Sequence, residues 1–195
     1  DNPSNRTARS GNALDVDSRW GHVLQVGIRS LRHLIEAALK KHKYVDVTCS
    51  IGNHDDMSSQ MLATAMQCLF EKEPRVKVLE PSVQFHYIQH GKCLFGTTHG
   101  HTIKYKDLPG IMAVDEPKAW GATQFRYWYT GHVHHESVKD FPGVTVETFR
   151  TLAASDAWHH SSGYRSQKDA RLDIWHKDFG LINRHIVGIE RLRSK

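Results

Sequence analysis

Three short segments carry the residue types and spacings from which chemistry could be built: Gly52-Asn53-His54-Asp55, Thr98-His99-Gly100-His101 and Gly131-His132-Val133-His134. The last is the sharpest. Two histidines one residue apart, leaving a strand, can reach two adjacent metal ions, or one ion from two sides if the backbone turns there. The small Gly131 permits such a bend and a close approach. An isolated His-x-His is as easily a pair of surface side chains. Here it is the third of three metal-capable segments in order, in a chain with 15 histidines. Histidine is the commonest protein metal ligand and titrates nearest neutrality.

Each segment follows a predicted strand. Apolar residues from Trp20 to Leu39 recur at helical spacing, predicting a helix over about 19–41 with basic residues at its end, where they suit the helix dipole. A β-rich run, 44–51, then breaks into Gly-Asn-His-Asp before a second helix over about 58–71, a strand–loop–helix unit of the α/β kind. Further strands are predicted at 76–79, 83–89, 92–97, 125–130, 144–149, 172–175 and 185–192, with mixed loop and helix over 105–121. In open α/β sheets the carboxyl ends of strands line the ligand crevice. Three such ends bearing Asn or His point to one shared site.

Length and composition set the bounds. At 195 residues and 22.3 kDa the chain is read as one domain, 1–195. It is 39% hydrophobic and 24% charged, the balance of an ordinary globular protein. No apolar run reaches the ~18 residues of a membrane span, and the polar opening lacks the apolar core of a signal peptide. Cys49, Cys68 and Cys93 form no CxxC pair; Cys49 and Cys93 sit in apolar runs and read as reduced core thiols in a cytoplasmic setting. The net charge of +5 is compatible with a polyanionic partner such as nucleic acid, and equally with a basic solvated surface.

Taken together, the three segments resemble the later motifs of the calcineurin-like metallophosphoesterase superfamily: Gly52-Asn53-His54-Asp55 its GNH(D/E), His99-Gly100 its HG, and Gly131-His132-Val133-His134 its GHxH. The resemblance spans about residues 40–150. It implies a four-layer α/β/β/α sandwich and two divalent metal ions, with manganese first and iron or zinc as alternatives. Position by position, it implies that Asn53, His99 and His132 bind one metal and His134 the other. His54 would contact the phosphate and assist the leaving oxygen, and Asp55 would orient His54. For Asp55 or Asp56, capping the following helix is an equal alternative. Two such ions ~3.5–4 Å apart lower the pKa of a bridging water and draw charge from the phosphoryl oxygens. Nitrogen and oxygen donors without thiolate suit these ions better than softer ones.

The superfamily pattern opens with Asp-x-His and Gly-Asp on two earlier strands, and neither is present. Asp15 and Asp17 read as helix-start residues. The opening Asp1-Asn2-Pro3-Ser4 resembles the stretch that follows Gly-Asp in the DNA-repair exonuclease branch. The expectation is therefore a natural protein that continues upstream, and a segment with a half-built site and little activity alone.

Other groups are weaker candidates. His159, Tyr164 and Arg165, in a polar aromatic stretch, could contact substrate through phosphate pairing and base stacking, or form a plain surface loop. His101 and His135 flank proposed ligands and read as supporting or exposed residues. Trp120, Trp128 and Trp175 read as packing residues. The function expected is metal-dependent phosphodiester hydrolysis, on DNA as an exonuclease or endonuclease. A phosphodiesterase for small or cyclic nucleotides, and a non-catalytic module that keeps the fold, are the alternatives.

Overall fold

The computed structural model describes residues 19–152 and 166–190. The chain divides into two compact units, Asp1–His86 and Tyr87–Lys195.

In the first unit, α1 (Trp20–Leu39) and α2 (Asp56–Leu69) pack on a two-stranded parallel sheet of β1 (Val45–Val47) and β2 (Val76–Val78). Ile28, Leu31, Ile35 and Leu39 recur every three or four residues, so one stripe of α1 faces inward. Ile35, Val47 and Met66 are buried at its centre. On the outer side Arg32 pairs with Glu36 one turn on, at 2.7 Å. The basic residues expected at the end of this helix fall at its C-cap, Lys40, and just beyond. β1, α2 and β2 form a β–α–β unit, and the loop between β1 and α2 carries Gly52-Asn53-His54-Asp55.

The second unit is built on a five-stranded mixed sheet in the order β3-β4-β5-β7-β6: β3 (His86–His90), β4 (Cys93–Thr97), β5 (Phe125–Thr130), β7 (Val144–Thr148) and β6 (Ser137–Phe141). β4, β5 and β7 run parallel, and β6 is antiparallel to β7. Alternation along β5 sorts its side chains. Trp128 faces α3 (Leu108–Asp115), fully buried, and its indole N–H donates to the Leu108 carbonyl at 2.9 Å. A Cβ on Gly96 would lie 2.6 Å from the Trp128 ring, so the indole fills the place a β4 side chain would take. Arg126, on the same side, lies over Trp120 of α4 (Pro117–Ala122). Tyr127 and Tyr129 face the other way, against an antiparallel hairpin of β8 (Asp169–His176) and β9 (Gly180–Gly188).

That second interface combines rings and ions. Trp175 meets Phe95 and Tyr127 edge-on at 4.8 and 4.5 Å between centroids. Beside them, buried Glu147 is paired with Arg171 and Arg184, and Asp173 with both arginines. Burial works against the Arg184 cation, but its hydrogen bonds to Asp173 and Glu147 hold its pKa above the ordinary value. Burial, then Asp173 and Glu147, push the Tyr129 hydroxyl well up.

The class is α/β, as the sequence implies, and most elements fall where the pattern places them. One strand was not anticipated: β6, with exposed Val138, Lys139 and Asp140, has a single paired edge and no apolar run. Charged residues on such an edge strand discourage further pairing. Its turn to β7, Pro142-Gly143 with Gly143 at φ 80°, has the form that a type II turn requires. Among the described residues no helix is long and apolar enough to cross a membrane.

Candidate metal centre

β4 and β5 are parallel neighbours in a register that sets Thr97 beside Tyr129. Two residues further on, His99 must therefore lie beside Gly131. The structure shows this contact as a hydrogen bond, the Gly131 N–H donating to the His99 carbonyl at 3.0 Å. Tyr105 adds a second tie, its hydroxyl donating to the Gly131 carbonyl at 3.5 Å. The two histidine loops are thus fixed to each other by the sheet that precedes them.

Beyond Gly131 the chain turns sharply. The Val133 N–H donates to the Gly131 carbonyl at 2.7 Å, closing a three-residue turn about His132, whose φ is 64°. This is the rarer, strained hand of γ-turn. His134 follows at φ 55°. They are the only non-glycine residues with positive φ among those described. Left-handed backbone costs a side-chain-bearing residue roughly 1–2 kcal/mol, and such strain gathers at functional sites. The turn is anchored on its far side, where the Thr148 hydroxyl donates to the His135 carbonyl at 2.7 Å.

The result is a cluster of imidazoles. The rings of His99 and His132 lie 5.3 Å apart between centroids, those of His99 and His101 5.2 Å, and those of His101 and His132 6.0 Å. His132 is exposed and the other two are half-buried. Two imidazoles bound to one tetrahedral ion through bonds of ~2.0–2.1 Å hold their ring centres roughly 5 Å apart. The His99–His132 spacing of 5.3 Å is therefore that of two imidazole donors to one divalent ion of the zinc or manganese class. As the rings stand, no group of three or more His, Cys, Asp or Glu side chains among the described residues is arranged to hold one.

In the first unit, Asn53, His54 and Asp55 share the loop after β1 and are each half-buried. Asp55 holds the N-cap position of α2 but makes no side-chain capping bond there. Burial raises its carboxyl pKa, against the lowering effects of a backbone bond from Gly52 and of nearby His54. The helix start is served instead by Asp56, which accepts the Met57 N–H at 2.9 Å. Cys49, in the same loop, has a thiol pKa raised by burial and then by Asp55. Cys93 is buried and Cys68 exposed, and all three thiols are free.

His101, read from the sequence as a supporting or exposed residue, is half-buried with its ring 5.2 Å from that of His99, and Tyr105 carries no motif that singles it out. The signal for His101 was present, since His99 and His101 bracket Gly100. Tyr105, in the next turn of chain, had none. His135 is exposed as expected, its Nδ1 2.9 Å from the Val133 carbonyl. His159, Tyr164 and Arg165 lie outside the described residues.

A separate cavity of about 530 Å³ opens in the second unit, lined by Tyr129, Phe149, Arg150, Arg171, Asp173 and Trp175 among others. Arg150 is paired with Asp169 and Glu136, and Arg171 with Glu147. Its charges are balanced from within.

No protein-family model matches the chain, and no curated protein sequence matches it significantly. Among solved structures it is similar to the zinc complex of Vps29 from Entamoeba histolytica, with 13% identity and a TM-score of 0.43 over 80% of this chain and 88% of that one. A conserved uncharacterized protein of Streptococcus pneumoniae, described as a predicted phosphoesterase, is similar at 11% identity and a TM-score of 0.35, over 84% and 90% of the two chains. Vps29 of Chaetomium thermophilum is similar at 13% and 0.38, over 94% and 92%.

Proposed function

We propose that this chain carries the histidine side of a divalent-metal centre that hydrolyses phosphate esters. The observation that carries the reading is the backbone at Gly131-His132-Val133-His134, where two successive histidines of an HxH pair are held left-handed beside His99. A plain surface loop has no reason to sustain that cost twice.

In this reading His99 and His132 would hold one ion and His134 would contribute to a second, with manganese first and iron or zinc as alternatives. Such ions, when bound, supply Lewis acidity toward water and the phosphoryl oxygens. The remaining work falls to the chain itself. His54 donates a proton or hydrogen bond to the departing oxygen, and Asp55 holds the His54 ring so that one nitrogen faces the substrate. Neutral imidazole donors leave the positive charge of the site available to an anionic ester.

Phosphodiesters of DNA are the substrate class favoured here, on the motif resemblance and the net charge of +5. Single-turnover assays on duplex DNA, single strands and cyclic nucleotides separate the substrates. Polymer binding should weaken steeply with salt, because each phosphate contact releases counterions.

The catalytic assignment is tested with Mn²⁺ and bis(p-nitrophenyl) phosphate. The expected result is slow, Mn²⁺-dependent hydrolysis that His54→Ala largely abolishes while bound Mn²⁺ is retained. Loss of Mn²⁺ in that variant would make His54 a ligand. Full Mn²⁺ binding with no hydrolysis of any ester would point to a non-catalytic module.

A further inference from the structure

We infer that the cavity lined by Tyr129, Phe149, Arg171 and Trp175 is a pocket for an unpaired nucleobase. Its part in holding a substrate rests on the phosphoesterase reading above, whereas the pocket itself rests on its own lining.

The first ground is the wall. The rings of Tyr129 and Phe149 stand 5.1 Å apart between centroids, and Trp175 joins them from β8. They border about 530 Å³ of space, within the roughly 300–1,000 Å³ usual for small-molecule sites. Aromatic faces hold a base by stacking, whichever base it is.

The second ground is an unmet need for hydrogen bonds. The Arg171 side chain is 7% exposed, and its Cζ lies over the Phe149 ring, 4.1 Å from the centroid. Its Nη2 donates to Glu147. Nε and Nη1 are buried without a hydrogen-bond partner among the described residues. Asp173 at 3.4 Å and Glu136 at 3.7 Å are ion-pair contacts to them and no more. Buried donors are rarely left in that state. A planar ring with acceptors on its edge would satisfy them.

The third ground is charge. The lining sets two arginines, Arg150 and Arg171, against two aspartates, Asp169 and Asp173. That balance gives a free anion no advantage. It suits an uncharged ring whose edge accepts from an arginine and donates to a carboxylate, and nucleobases carry both kinds of group.

The fourth ground is place. Tyr129 is near the carboxyl end of β5 and Phe149 directly follows β7, its parallel neighbour. The Phe149 N–H donates to the Thr130 carbonyl at 3.0 Å, one residue before Gly131. Arg150 pairs at 2.8 Å with Glu136, two residues past His134. The cavity therefore lies at the end of the sheet that carries the histidine loops. A base inside a duplex is paired and stacked, so this pocket takes bases from single strands, frayed ends or free nucleotides.

The test titrates the full chain, in EDTA, with 2-aminopurine deoxyriboside, whose fluorescence is quenched on stacking. The wild-type chain should quench it saturably and with little salt dependence, since the probe is uncharged. Nuclear Overhauser contacts from the purine protons should reach the Phe149 and Trp175 rings. Phe149→Leu, which keeps apolar bulk but removes the ring, should weaken binding roughly tenfold. Arg171→Lys, which keeps the charge beside Glu147 but removes the planar donors, should weaken it too, with folding of both variants checked by circular dichroism. Displacement by a single-stranded oligonucleotide places the natural base in a strand, and displacement by deoxyadenosine monophosphate alone places it in free nucleotides. Equal displacement by deoxyribose 5-phosphate would make this an anion site and overturn the inference, as would unchanged affinity in both folded variants. No saturable quenching, with Mn²⁺-dependent hydrolysis of bis(p-nitrophenyl) phosphate intact, would overturn the base pocket and leave the phosphoesterase reading standing.

Discussion

At the scale of single residues, His132 and His134 hold left-handed backbone that is costly to a residue with a side chain. Glycine adopts φ near 60° without penalty, whereas histidine forfeits roughly 1–2 kcal/mol there. With metal removed by chelation, His132→Gly should therefore stabilise the chain by about 1 kcal/mol in urea unfolding, and the variant should no longer retain Mn²⁺. A His132→Gly chain less stable than wild type would show that the ring contributes more through packing with His99 than the turn costs. Residue types and their order were legible in the sequence, because Asn-His-Asp, His-Gly-His and His-x-His are local patterns. Left-handed backbone was not, since nothing in Gly-His-Val-His names the γ-turn. Nor was the nearness of His101 to His132, which comes from strand pairing across thirty residues of chain.

At the scale of elements, the sheet does the positioning. Parallel pairing of β4 with β5 brings the ends of both strands to one edge, and side-chain alternation sends Trp128 to the helices and Tyr129 to the hairpin. Helical periodicity in α1, apolar and aromatic residues in β4 and β5, and the β-branched residues of β7 made these elements legible. β6 carries no legible pattern because an exposed edge strand buries too little to leave one. The ion network under the β8–β9 hairpin was equally invisible, its members being scattered from Glu136 to Arg184. There the Arg171 side chain is 7% exposed and that of Glu147 2%. Arg171→Met should leave Glu147 and Asp173 sharing Arg184 as their partner, so the cost should lie between about 1 kcal/mol and the roughly 3–5 kcal/mol of a buried charge left with no partner. The check is denaturant unfolding. A cost below about 1 kcal/mol would mean that the pair behaves like a surface bridge and that the aromatic contacts hold the hairpin.

At the scale of the whole molecule, two tyrosines tie stability to pH. Burial, and then Asp115, raise the pKa of Tyr87; burial, and then Asp173 and Glu147, raise that of Tyr129. Each group has an ordinary value of 10.0 and a higher one in the folded chain. The unfolded chain therefore loses these protons first, so the tyrosine contribution is complete below pH 10.0 and falls as pH rises beyond it. Melting temperatures should decline above that point, and more gently for Tyr129→Phe, which has no hydroxyl to ionise. An equal decline in Tyr129→Phe and wild type would remove Tyr129 from the explanation.

The meeting of His99 and His132 at the end of two parallel strands can be viewed directly. Crystals grown with Mn²⁺ should show an anomalous scattering peak roughly 2 Å from one ring nitrogen of each histidine. A peak at other residues, or no peak while both rings are ordered and the ion is abundant, would contradict the account.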